Sequence, residues 1–446
     1  MSRDAIHDPA LHSARRRQLL ERLGDGLLLL PTAAETLRNG DVLHEYRPGS
    51  DFHFLSGFPE PEAVLAAWRT GRNSHRAVLF VRPRDKTREI WDGKRYGVAG
   101  ARQWFGVEAF PIAELWQRLP KLLAAHGRLF HRLGADPAFD RRLLDLFAAL
   151  GKKHRRRQPP AHPAIEDPTP AIAALRLVKD RAELAAIRAA ANITVAGHCA
   201  AMATARQGLK EFEVQAAIEA TFRRAGSPRN GYASIVASGP NACILHYHDN
   251  GRTLRRGDLL LVDAGAEFGG VTADVTRTFP VSGRFSAAQA AVYGVVLRAQ
   301  LAGIRACRPG ARWDAAHRAC VRALTRGLVE LGVLRGNVAR LVEKERYKRW
   351  YMHGSSHWLG RDVHDVGAYI DGDDTPERLR AGAVLTVEPG LYFGVRDRKV
   401  PSELRGIGVR IEDDVLVAHG KPVVLTAAAP KTIAEIEAAC ARPGPQ

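Results

Sequence analysis

Two carboxylates flanking a turn signal are the residues of this 446-residue chain best placed to do chemistry. In LLLVDAGAEFGGVTADVTRTFP (Leu259 to Pro280), the apolar run of Leu259, Leu260, Leu261 and Val262 climbs into Asp263 and reads as a strand buried on both faces. Thr272 to Phe279 reads as a second strand with period-two alternation. A tight hairpin turning at Phe268-Gly269 sets Glu267 opposite Gly270, Gly265 opposite Thr272 and Asp263 opposite Asp274. Directly opposed side chains have Cβ atoms about 4.5–5.5 Å apart, and two carboxylates so close inside a core repel and suffer desolvation. Positive charge must lie between them, as an arginine or as one or more metal ions. A pair of metals about 3.5–4 Å apart suits carboxylates at this separation.

Further ligand types follow along the chain. His357 lies in the histidine-rich MHGSSHWLG, Glu388 closes the apolar run AVLTVEPG, and Glu412 sits in GVRIEDDVLV. Each is an ionisable residue in or at the edge of a strand-like apolar stretch. Four carboxylates without metal are hard to bury, whereas two divalent cations balance them. Oxygen-rich ligation with one imidazole favours a hard or borderline ion, manganese first, with cobalt, zinc or iron as alternatives.

The segments VDAG, TADVTRTFPV, HGSSHWLGRDVHDVG, LTVEPGLYF and GIGVRIEDD occur in this order. Together they resemble the successive signatures of aminopeptidase P, the Xaa-Pro aminopeptidases of the pita-bread metallopeptidases that also include prolidase and methionine aminopeptidase. The resemblance extends upstream through ILHYHDN, LRLVKDRAELAAIRAAANIT, EIWDGKRYG and YRPGSDFHFLSGFPEPEA, and so covers most of the chain. It implies a metal-dependent aminopeptidase that removes the first residue from peptides with proline second, through attack by a hydroxide bridging two metals. Asp263 would bind one metal, Asp274 and Glu412 would bridge both, and His357 and Glu388 would complete the other. Glu388 would also be the general base. His246, His353 and His364 match positions that hydrogen-bond substrate and stabilise the tetrahedral intermediate, as imidazole can near neutral pH; His248 has no such match.

Arg410, two residues before Glu412, shares its face on a strand, where its charge would offset the acids. Tyr392, just after EPG, would wall the site. Trp91 in EIWDGKRYG aligns with a tryptophan that reaches a neighbouring subunit's site, with Asp41 as a weaker partner; otherwise Trp91 is a packed aromatic of its own domain. The family assembles as dimers or tetramers. His53-Phe54 stands where Trp-Tyr-like aromatics are common, and Ala237 and Ala242 where glycines are, which bears on subsite preference and leaves the metal centre intact.

Two rival readings share the fold. A prolidase would take Xaa-Pro dipeptides only, and a non-catalytic peptide-binding protein would have lost ligands. Creatinase-like chemistry also lacks this ligand set. No ligand is missing here, and HGSSHWLG and EIWDGKRYG resemble the aminopeptidase more than prolidase.

The positioning elements can be read around these residues. Residues 13 to 23 predict an amphipathic helix, GLLLLP ending at Pro31 a central strand, Phe52–Leu55, Val64–Trp68 and Ala77–Val81 strands, and 112–125 and 139–150 helices. This alternation predicts a small α/β domain over residues 1–170, serving assembly and the active-site rim. QPPAHPAIEDPTP, residues 158–170, holds five prolines and predicts a linker. Residues 171–446 would form the α+β pita-bread domain, a curved antiparallel sheet backed by helices. Its first helix runs from Lys179 to about Ala205, with Asp180 as N-cap and Glu183 as capping-box partner. A second covers Leu209 to Ala225, and a helix pair spans Ser286 to Leu334.

Composition bounds the rest. With 46% apolar residues the chain is globular; its net charge of +18, densest at KKHRRR (Lys152 to Arg157), could suit a polyanion, but arginine is abundant throughout and no recognised nucleic-acid motif accompanies it, so nucleic acid is not the expected partner. Five cysteines without a CxxC pair suit reduced thiols in a cytoplasmic protein. Charges interrupt the N-terminal stretch, so no signal peptide is expected, and no later segment reads as a membrane span.

Overall fold

The computed structural model describes residues 8–153 and 163–441. The chain divides between Leu175 and Arg176 into two compact units.

The first unit comprises α1 (Pro9–Leu23), β1 (Leu27–Pro31), β2 (Leu37–Asn39), β3 (Val42–Leu43), α2 (Ser50–Ser56), β4 (Val64–Gly71), β5 (Ser74–Val81), α3 (Lys86–Asp92), α4 (Gly97–Phe105), β6 (Glu108–Pro111), α5 (Leu115–Ala124), β7 (Arg128–Phe130), α6 (Pro137–Lys153) and β8 (Ala164–Glu166). Six strands make one mixed sheet in the order β6-β5-β4-β1-β7-β8. The leucine run of β1 is central because both its faces are covered. Leu28 packs with Leu19, Phe52 and Leu65 on one side, and Leu27 and Leu29 pack with Leu115 and Leu119 on the other.

Three expectations for this unit are corrected. Phe52–Leu55 lies in helix α2 and is not a strand; Phe52, Phe54 and Leu55 are all buried in one cluster, and Gly57 ends the helix at φ 70°. A four-residue stretch such as FHFL is too short for its period to declare itself. Within the expected linker, Ala164–Glu166 pairs in parallel with β7 as the sheet's edge strand. Residues 154–162, with most of the KKHRRR cluster and the first part of the expected linker, lie outside the described residues. Trp91 is 81% exposed on α3 and is not packed in its own unit.

Helix α7 (Thr169–Leu177) crosses the division. The second unit continues with α8 (Arg181–Thr204), α9 (Glu211–Arg224), β9 (Arg229–Asn230), β10 (Ile235–Ser238), β11 (Leu259–Asp263), β12 (Ala266–Phe268), β13 (Val271–Thr272), β14 (Thr276–Pro280), α10 (Ala287–Ala306), α11 (Ala315–Glu330), α12 (Val338–Glu343), β15 (Val384–Val387), β16 (Gly390–Tyr392), β17 (Gly408–Arg410), β18 (Asp413–Leu416), β19 (Val423–Val424) and α13 (Ile433–Cys440). Its strand pairs are all antiparallel, and the helices pack as the pairs α8 with α9 and α10 with α11. Asp180 caps α8 by accepting from Glu183 N–H at 2.9 Å, while the Glu183 carboxylate also accepts from Arg361 at 3.1 Å. By length and composition α8 and α10 are apolar enough to cross a membrane, against the reading that no segment approaches one. About half of each apolar window is buried in this unit, 56% and 50%, which marks both as core helices.

The register of the acidic hairpin also differs from expectation. Glu267 pairs with Thr272, Phe268 with Val271, and Asp263 with Thr276 rather than Asp274. The two-residue loop is Gly269-Gly270, with φ of 64° and 74°. Positive φ at both central residues is what a type I′ turn needs, and its twist suits the flanking strands. Strands β11 and β14 are buried throughout, without period-two alternation.

Candidate metal centre

Helix α8 holds the back of the hairpin by two residues one turn apart. Thr194 Oγ1 accepts from Ala266 N–H at 2.9 Å, and His198 Nε2–H donates to the Ala264 carbonyl at 3.0 Å. Burial pushes His198 down to about 4, so the ring stays neutral and keeps one donor for that carbonyl. Gly265 cannot carry a side chain, because a Cβ there would lie 1.8 Å from the Ala273 carbonyl oxygen and 3.0 Å from the Tyr232 ring. These constraints set Asp263 and Asp274 on either side of one hydroxyl: Tyr232 donates to Asp263 Oδ1 at 2.6 Å and also contacts Asp274 Oδ1.

The remaining acids arrive from the other strands. Glu412 follows β17, its backbone N–H donates to the Thr276 carbonyl at 3.1 Å, and its Oε2 accepts from Thr276 Oγ1 at 2.6 Å. From the opposite side the fully buried Arg277 donates to the Glu412 carbonyl at 2.5 Å and to Asp413 at 2.7 Å. Glu388 follows β15, with its N–H on the Ser355 carbonyl at 2.8 Å. His357 is held by reciprocal contacts with Thr386 at 3.0 and 3.2 Å, and its Nδ1 lies 3.0 Å from the Trp358 carbonyl. A carbonyl only accepts, so Nδ1 carries the proton and Nε2 faces the acids, 3.4 Å from Asp274 and 3.8 Å from Glu388.

Ligand atoms of Asp274, His357 and Glu412 lie within 4.8 Å of one another. Asp263 and Glu388 flank that triplet through the Tyr232 and His357 contacts, so all five expected ligands are brought together. Three buried carboxylates and the partly buried Glu388 face one guanidinium, Arg410, whose Nη2 donates to Asp263 at 2.5 Å. Burial first, then mutual repulsion, raises Glu412 well above the usual carboxylate range and pushes Glu388 up to about 7. Burial works against ionisation of Asp274 too, but the hydrogen bond and charge of His357 pull it below the ordinary value. His357 is in turn driven up to about 9 by Asp274 and Glu388 despite burial. This excess of negative charge, with an imidazole nitrogen aimed into it, fits hard or borderline divalent ions.

Of the other expected residues, His353, Tyr392, Arg410 and His364 sit around this cluster. His353 Nε2 is 2.8 Å from the Tyr392 hydroxyl and its Nδ1 is 3.7 Å from Glu388. Tyr392 is buried and also meets Arg410 Nη1 at 3.3 Å, so it ties His353 to the arginine as well as walling the site. His364 is exposed, its ring 4.5 Å from that of His357 and nearly perpendicular. His246 lies on an exposed turn with the ring of His248 parallel at 6.5 Å. Trp91 and Asp41 belong to the first unit, Asp41 exposed in the β2–β3 turn.

Sequence reasoning missed Tyr232, Thr276, Thr386 and Asp414. Asp414 accepts the Asp274 N–H on both oxygens at 3.2 Å. Only the EDD run hinted at Asp414, and nothing in RNGYASIV marks Tyr232 before the hairpin is built.

The sequence matches two family models, "Metallopeptidase family M24" over residues 185–419 and "Aminopeptidase P, N-terminal domain" over residues 12–130. A Haemophilus influenzae Xaa-Pro aminopeptidase is 41% identical over 424 residues, 95% of each chain. The structure of the Pseudomonas aeruginosa aminopeptidase PepP superposes with a TM-score of 0.94 at 44% identity, covering 97% of this chain and 98% of that one. Aminopeptidase P from E. coli, solved with the inhibitor Pro-Leu, gives 0.92 at 40% identity over 97% and 98%.

Proposed function

The chain belongs to metallopeptidase family M24, with an aminopeptidase P N-terminal domain ahead of the pita-bread unit, and from that premise we propose that it is an Xaa-Pro aminopeptidase. It removes the first residue from peptides with proline second. The observation that carries this reading is the convergence of Asp263, Asp274, His357, Glu388 and Glu412. These residues would hold two divalent ions, manganese by proposal with cobalt, zinc or iron as alternatives, and when bound the ions polarise the scissile carbonyl and acidify a water.

The Xaa-Pro bond has no N–H, so recognition falls on the carbonyl and the ring. Glu388 takes the proton of the attacking water on its carboxylate and returns it to the proline nitrogen as the C–N bond breaks. His364 and His246 present N–H groups to the substrate, and the charge developing on its carbonyl oxygen is stabilised by such donors, while His353, its Nδ1–H on the Gly354 carbonyl and its Nε2 accepting from Tyr392, orients the Tyr392 hydroxyl at the substrate's edge. Arg410 holds Asp263 and offsets the acids, while Tyr392 keeps His353 and Arg410 in register.

Assembly into a dimer or tetramer is part of the proposal, with Trp91 and Asp41 offered to a neighbouring copy; exposed Ile90 and Trp91 on α3, at 80% and 81%, support it. A cytoplasmic location is proposed too, supported by five cysteines of which none forms a disulfide. The test is turnover of an Arg-Pro-Pro-type peptide and of the dipeptide Gly-Pro after chelation and manganese addition. Cleavage of the longer peptide is expected; turnover of dipeptides alone would replace this reading with prolidase.

A further inference from the structure

We propose that a cavity beside His353 is a downstream subsite that selects a large apolar or aromatic side chain on the residue following proline; this rests on the aminopeptidase reading and extends it to substrate class. The cavity has a volume of about 360 Å³, enough for one large side chain, and is walled by Trp313, Tyr347, Tyr351 and Met352, with His317 and Lys348 at its polar side. Two of its lining residues touch the metal centre. His353 lines it and also stands 3.7 Å from Glu388, and Ser355, another lining residue, accepts the Glu388 N–H.

The walls are already set. Tyr351 and Tyr347 are 1% and 6% exposed, Tyr351 is held by Ser355 Oγ, and that same oxygen is 2.9 Å from His317 Nδ1. A pre-formed aromatic wall loses little entropy on binding. Met352, half exposed, supplies an adaptable thioether against a ring.

Charge decides the class of side chain. The one carboxylate lining the cavity, Asp314, is neutralised by Arg312 at 3.3 Å and Arg318 at 3.6 Å, and Lys348 is paired with Glu345 at 2.7 Å. Neither calls for a charged guest, so the aromatic surface selects.

The test is kcat/KM of the metal-loaded full chain on Arg-Pro-Xaa tripeptides with glycine, alanine, leucine, phenylalanine, lysine or glutamate third, beside calorimetric binding of Pro-Phe and Pro-Gly. Phenylalanine and leucine should exceed glycine by about 10-fold or more, as a filled apolar pocket discriminates, with lysine and glutamate no better than alanine. Met352→Ala should lower the Phe-to-Gly ratio at least threefold, and Met352→Glu should move the preference toward lysine. Third-residue rates within twofold of one another, or a ratio that neither Met352 variant moves, would overturn the subsite. Failure to cleave any tripeptide would instead strike the aminopeptidase reading. Tighter binding of Pro-Phe than Pro-Gly, weakened by Met352→Ala, would still support the cavity in that case, and equal binding would overturn it.

Discussion

The phenol of Tyr232 donates to Asp263 at 2.6 Å while touching Asp274, so one hydroxyl spans two acids that their own strand register does not set opposite each other. Burial and the flanking carboxylates raise its pKa well above that of a free tyrosine, which keeps it a donor at any working pH. Tyr232→Phe should therefore leave the fold intact but loosen both ligands. Removing a hydrogen bond behind a metal ligand lowers affinity about 10–100-fold. Metal titration of the variant is expected to show that loss, with activity recovering at high manganese; wild-type affinity would contradict the role.

Asp274→Ala removes a ligand whose oxygen lies 3.4 Å from His357 Nε2. Both metal content, read by mass spectrometry, and turnover should fall to background. In the wild type, chelation should lower the melting temperature as well, since an ion at about 100 times its Kd stabilises the fold by about 2.7 kcal/mol. A variant that loads metal and cleaves peptide would remove Asp274 from the centre.

Asp365 anchors the loop that carries His357 and His364. It takes Arg176 at 2.5 Å and Lys179 at 2.6 Å, and all three side chains are about 2% exposed or less. Asp365→Ala leaves two cations buried beside each other and should cost about 3–5 kcal/mol in denaturant unfolding. Burial opposes its ionisation, but the two cations hold its pKa below the ordinary value. The stability it lends is thus fully present above the unfolded value of about 3.9 and is lost as pH falls through that value and the lower folded one. The gap between wild type and Asp365→Asn should shrink below about pH 4; a constant gap would refute the linkage.

How much of this was legible follows from what each residue depends on. Asp263, His357, Glu388 and Glu412 each sit at the end of an apolar run or in a distinctive motif, so their types and surroundings announce them locally. The pairing of Asp263 with Thr276 depends on whether the turn is Phe268-Gly269 or Gly269-Gly270, a shift of one position that a glycine pair leaves ambiguous until φ is known. Tyr232 matters only once two strands close around it. The helix at Ser50–Ser56 was hidden because its apolar residues suit a strand equally well.

Metal loading should release protons. In the metal-free cluster His357 is held at about 9 and Glu388 at about 7, so near neutral pH the imidazole is charged and the carboxyl about half protonated. Binding requires the neutral imidazole and the carboxylate. At pH 7 His357, Glu388 and the upshifted Glu412 should all give up protons as the site fills, so that more than one proton leaves per site, and affinity should weaken as pH falls further. Calorimetry in buffers of different ionisation enthalpy counts them; a proton count near zero would mean that the cluster is already ionised and that its acids are not in the contact described.

Ser355 lies between the two histidines of its loop, with its hydroxyl on His317 Nδ1 at 2.9 Å and on Tyr351, and its carbonyl on Glu388 N–H at 2.8 Å. Ser355→Ala keeps the carbonyl but strands the buried Tyr351 hydroxyl and the partly buried His317 ring, which should cost about 1–3 kcal/mol of stability. Because the loop then loses its lateral hold, the general base is positioned less well in the transition state than substrate is in the ground state. The expected result is a fall in kcat larger than any rise in KM, with partial rescue by Ser355→Thr. A change confined to KM would show that the hydroxyl serves substrate binding and not the placement of Glu388.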